Sequence, residues 1–144
     1  MNKKFTLAIF LIIILSNFGK AYSIEADVFV QSTVNRAAKT LGGSLSKEER
    51  VEKLKDIARD TVDIEGIGFY SLGANRKNAT EDQINKYKAA FSEYFLKSFS
   101  SRLAEYSNPE IEVNSKKIIN KNYTIVSSTL AGTDNRPEVK IEWR

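Results

Sequence analysis

From Thr80 to Tyr106 the chain repeats a large apolar residue every three or four positions: Ile84, Tyr87, Phe91, Phe95, Phe99, Leu103 and Tyr106. That spacing sets them along one side of a 3.6-residue helix, and Thr80 with Gln83 supplies a capping box at its start. Each such side chain gains roughly 1.5–3 kcal/mol when it leaves water, so the face must be covered. Ala90, Tyr94 and Leu96 widen the apolar arc to about two thirds of the circumference, more than a helix lying on a single layer uses. Two partners are expected for it, a sheet and something else. Where the stripe drifts around the axis, at Ser98, Ser100 and Ser101, a bend is expected.

Three shorter helices precede it. Val30, Val34, Ala37 and Leu41 define one over residues 25–41, with Gly42-Gly43 as its stop. Ser46 and Glu49 form a second capping box, opening a helix to about Val62 with Val51, Leu54, Ile57 and Ala58 on one face. Asp63 caps a segment from Ile64 to Leu72, closed by Gly73, that turns Ile67, Phe69 and Leu72 inward. Residues 75–79 read as a polar loop. After Asn108-Pro109 the period changes to two: Ile111 and Val113 alternate with polar residues, 123–131 is rich in strand formers, and Val139, Ile141 and Trp143 alternate with charges after a turn at 132–137. Helices followed by strands with one apolar face predict an α+β fold, the helices covering a three-stranded antiparallel sheet.

The amino terminus has the features of a cleavable signal peptide: Lys3 and Lys4, the apolar run 5–15, and Ala21 with Ser23 in a cleavage pattern. The expected organisation is a signal peptide at 1–23 and one domain at 24–144. Lys3, Lys4 and Lys20 leave with the leader and no acid does, so the +4 of the full sequence falls to near neutrality. A near-neutral domain without a basic block argues against nucleic acid as a partner.

The chain has no cysteine and no histidine. Disulfides, a lipidated cysteine, Ser-His-Asp and Cys-His catalysis and the common zinc sites are thereby excluded. Glu48-Glu49 and Glu81-Asp82 sit at helix N termini, where the dipole alone favours acids. Gly66 and Gly68 follow a helix rather than a strand and lack a third glycine, so they are no dinucleotide fingerprint. No enzyme, catalytic residue, metal or cofactor is expected. Arg76-Lys77 and Lys116-Lys117 could meet a phosphate headgroup or an anionic membrane, with a solvated surface as the simpler reading.

The run Leu72-Gly73-Ala74-Asn75-Arg76-Lys77-Asn78-Ala79-Thr80-Glu81-Asp82-Gln83 resembles the MlaC/toluene-tolerance family of periplasmic lipid carriers. The likeness continues through Tyr87, Phe91, Tyr94, Phe99, Leu103 and Tyr106. It includes Asp60-Thr61-Val62-Asp63 upstream and the strand from Arg136-Pro137 to Arg144 downstream. Asn75 departs from an aromatic common near that position. The family's later elements, a Trp-containing strand, a further strand with a Gly-Val-Ser turn and a closing helix, do not follow Arg144, so the resemblance implies a domain incomplete at its C terminus.

The resemblance also implies a function: carriage of phospholipid across the periplasm between an outer-membrane lipoprotein complex and an inner-membrane ABC transporter, keeping the outer leaflet free of phospholipid. Acyl chains would be enclosed between helices and sheet. The candidate lining is Ile67, Phe69, Leu72, Phe91, Tyr94, Phe95 and Phe99 from the helices and Ile125, Val139, Ile141 and Trp143 from the sheet. The alternative expectation is a split-gene fragment of such a carrier, non-functional or acting only as an interaction module.

Overall fold

The computed structural model describes residues 24–107 and 109–144; the expected signal peptide lies outside them. Among these residues four helices precede three strands: α1 (Ala26–Gly42), α2 (Lys47–Thr61), α3 (Ile64–Ser71), a 3-10 turn (Gly73–Lys77), α4 (Glu81–Leu103), β1 (Ile111–Asn120), β2 (Tyr123–Leu130) and β3 (Val139–Trp143). The strands form one antiparallel sheet in the order β1-β2-β3. This is the α+β arrangement expected.

Local chemistry sets the boundaries. Both capping boxes form: Ser46 Oγ accepts from Glu49 N at 3.2 Å while Glu49 Oε2 accepts from Ser46 N at 2.9 Å, and Thr80 and Gln83 reciprocate in the same way. Asp63 Oδ1 accepts from Gly66 N at 2.9 Å and opens α3. Gly73 takes φ +55°, the left-handed conformation that ends the segment without a Cβ penalty. The 75–79 loop is corrected in part, since 73–77 winds as 3-10 turns. The long helix stops at Leu103 rather than Tyr106, with Ala104 as its C-cap; Tyr106 is nonetheless buried, beyond the helix end. Its hydroxyl donates to Pro137 O at 3.4 Å, and Arg136 lies over its ring, tying the β2–β3 loop to the end of α4.

The core forms three clusters. Leu41, Leu54, Ile57 and Ala104 join α1, α2 and the end of α4. Ala58, Ile64 and Leu96 join α2, α3 and α4, with Phe91, Phe95 and Phe99 packed at their edge. Val30, Val34 and Val126 join α1 to the sheet, with Val113 and Trp143 beside them. Thus α1 is the helix seated on the sheet, whereas α4 packs chiefly on α2 and α3. The sheet expected beneath the aromatic stripe is not its main partner, and from Ile84 to Leu103 the stripe is half-buried rather than buried.

Candidate functional site

The space between α4 and the sheet is a cleft of about 870 Å³. Phe95 and Phe99 form its α4 wall, Ile67 and Tyr70 its α3 wall, Phe29 and Val30 its α1 wall, and Thr124, Val126, Ile141 and Trp143 its sheet wall. Thr61, Val62, Phe99, Ile141 and Trp143 also border a narrow void of about 40 Å³ that runs inward to Val34, Leu54 and Leu130. The cleft and this apolar void thus share five lining residues between the helical layer and the sheet. Polar groups gather at its mouth, where Asp63, Glu142 and Arg144 stand.

Helical spacing makes the α4 wall continuous. Phe91 and Phe95 stack with centroids 6.1 Å apart, and Phe95 and Phe99 at 5.5 Å with planes 8° from parallel. Tyr87 extends the ladder at 6.0 Å from Phe91, and its hydroxyl lies 2.8 Å from Ser71 Oγ, linking α4 to the end of α3. The two helices approach closely at Gly68, where a Cβ would stand 2.9 Å from Phe91 Cδ1. Lys88 and Glu65 bridge them at 2.6 Å. On the sheet wall, Trp143 Nε1 donates to the buried Ser128 Oγ at 2.9 Å, which satisfies the indole's only donor within the sheet.

Of the residues named from sequence, Ile67, Phe95, Phe99, Ile141 and Trp143 border the cleft. The others lie elsewhere. Phe91 packs on Gly68 and the α2–α3–α4 cluster. Phe69 is held under the Arg76 guanidinium at 5.4 Å, and Tyr94 is 68 % exposed on the outer side of α4. Leu72 caps α3 outside the cleft lining, and Val139 pairs with Leu130 at the far end of β3. Ile125 pairs with Lys117 on the sheet face opposite Val126. Sequence reasoning missed Phe29, Val62, Tyr70 and Val126. Phe29 carried a signal: beside Val30 in a helix whose stripe was already filled, it is an extra aromatic with no place on that stripe.

The basic pairs separate. Lys116 Nζ reaches Asp27 at 2.7 Å and Glu25 at 2.9 Å at the start of α1. Those bonds hold the Asp27 carboxyl below its ordinary value and push the Lys116 ammonium above its own. Arg144 is likewise raised, first by its hydrogen bond to Glu142 at 2.9 Å. Among the described residues no group of acidic side chains is placed to hold a metal ion, and no helix is long and apolar enough to cross a membrane.

A helical layer on a small antiparallel sheet, parted by an apolar cleft, defines an α+β domain that can enclose a hydrophobic guest. The family model described as MlaC protein matches residues 30–144, and the chain belongs to that family. Among solved structures the fold is similar to that of a phospholipid-binding protein from Ralstonia solanacearum in complex with a phospholipid. The two share 16 % identity with a TM-score of 0.66 over 84 % of this chain and 70 % of that one. A comparison with curated proteins gives no match.

Proposed function

We propose that the protein is a non-enzymatic phospholipid carrier that encloses acyl chains in the cleft between α4 and the sheet and leaves the headgroup at the mouth. The observation that carries this reading is the cleft itself, about 870 Å³ and walled by Phe95, Phe99, Ile141 and Trp143. That size falls within the range of small-molecule sites. Each methylene taken out of water contributes about 0.8 kcal/mol, so enclosure of even part of two chains suffices without a dedicated headgroup site. Membership of the MlaC family supports the same reading, as does a fold shared with a protein that binds phospholipid.

Carriage through the periplasm, between an outer-membrane lipoprotein complex and an inner-membrane ABC transporter, completes the proposal, with export by the leader at 1–23. Family membership and the leader pattern support this part. Lipid extraction from the natively purified protein, followed by mass spectrometry, tests the binding step. Near-stoichiometric phospholipid in the wild type and its loss in Phe99→Glu are expected. A wild-type chain that is empty at that sensitivity overturns it.

A further inference from the structure

The β1–β2 hairpin ends in an unusual surface. Between Glu112 and Asp134 the sequence has no acid, and its cations there are Lys116, Lys117 and Lys121. Lys116 is engaged by Asp27 and Glu25, but Lys117 and Lys121 form no ion pair among the described residues. Between them stand Ile118, 67 % exposed, and Ile119, 44 % exposed, with Tyr123 across the turn. The turn is closed by local bonds: Asn120 pairs with Tyr123, and Asn120 Oδ1 accepts from Asn122 N at 2.9 Å.

The location of this tip matters as much as its composition. An irregularity at Asn114 shifts the register of β1, so that Lys116 opposes the buried Val126 and Ile118 opposes Thr124. Directly opposed residues share a face, and Thr124 lines the cleft. Ile118 therefore stands on the cleft side of the sheet, beside Thr124, while Lys117, opposite Ile125, is on the other side, so the two reach a common plane only at the hairpin's end. Exposed isoleucines flanked by free lysines and a tyrosine suit the boundary of an anionic bilayer: the apolar groups seat at headgroup depth, and flexible lysine stems carry their charge to phosphate.

We propose that the β1–β2 tip docks the protein on an anionic lipid surface through Ile118, Ile119, Lys117 and Lys121, holding the cleft mouth against the bilayer. Its meaning for lipid exchange rests on the carrier reading above; the docking itself does not.

Flotation of the full chain with vesicles tests it, comparing phosphatidylglycerol-containing with purely phosphatidylcholine membranes. Wild type should float with the anionic vesicles and detach as salt rises. The Lys117→Gln/Lys121→Gln variant should bind on the order of thirtyfold more weakly. Ile118→Ser/Ile119→Ser should also lose binding, while both variants keep the lipid content extracted from wild type. Phe99→Glu, which empties the cleft if the carrier reading holds, should still float, so failure of one idea is distinguishable from failure of the other. Flotation that is absent with every vesicle, equal on neutral membranes, or unchanged in both tip variants overturns the proposal. The first of these results would assign the tip to a protein partner instead.

Discussion

Trp143 and Ser128 sit diagonally across the β2–β3 pair and are joined by a 2.9 Å hydrogen bond from the indole nitrogen to the serine hydroxyl. The bond turns an amphipathic ring into an apolar wall, because the donor is spent inside the sheet. Replacing Ser128 by Ala leaves the indole N–H without that partner. A loss of about 1–3 kcal/mol in denaturant unfolding is expected. A midpoint equal to wild type would show that the bond contributes nothing.

The contact between Gly68 and Phe91 sets two opposing effects against each other. Ala in place of Gly within a helix gains about 1 kcal/mol by propensity. Here the new Cβ would stand 2.9 Å from a ring held in a stack by Tyr87 and Phe95, and overpacking costs about 1–3 kcal/mol. Gly68→Ala is therefore expected to lower stability, read as the urea midpoint. A higher midpoint would mean that α3 and α4 separate freely at this place.

Ser100 is fully buried in α4, and its hydroxyl has no hydrogen-bond partner among the described residues. Ala matches its size and is a better helix former by about 0.5 kcal/mol. Ser100→Ala should thus leave stability unchanged or raise it. A loss above about 1 kcal/mol, the cost of a broken hydrogen bond, would reveal an interaction that the geometry lacks.

Acid should loosen the attachment of α1 to β1. The carboxyl of Asp27 is lowered by its hydrogen bond to Lys116, so its contribution is present above the ordinary carboxylate range and fades as pH falls through the depressed value. The ammonium of Lys116 is raised for the same reason, and its contribution is lost only as pH climbs through that raised value. Between those limits Lys116→Gln should melt below wild type. The difference should shrink in strong acid and in high salt, as for any exposed pair. A difference in melting temperature that is constant from neutral pH to acid would refute this linkage.

Much of the helical architecture was legible because it is written in short-range chemistry. Ser46 with Glu49, Asp63 with Gly66, and Thr80 with Gln83 act within one turn, and the structure contains each bond. Strand alternation from Val139 to Trp143 was equally plain. The partner of the aromatic stripe was not, because a wide apolar arc says that a face leaves water and not what covers it. Facing was also lost where sequence alternation is ambiguous: Ile125 and Val126 are both apolar, and only their pairing with Lys117 and Lys116 decides which points to the helices. The register shift at Asn114 hid the inward face of Lys116 in the same way.

Trp143 is the chain's sole tryptophan and stands on the wall of the cleft, so it reports directly on whether hydrocarbon enters. Titration of the delipidated protein with a phospholipid brominated along its acyl chains should quench its emission saturably, and Phe99→Glu should abolish the quenching. Emission that is indifferent to the brominated lipid, from a protein shown to be folded, would contradict an acyl-chain site between α4 and the sheet.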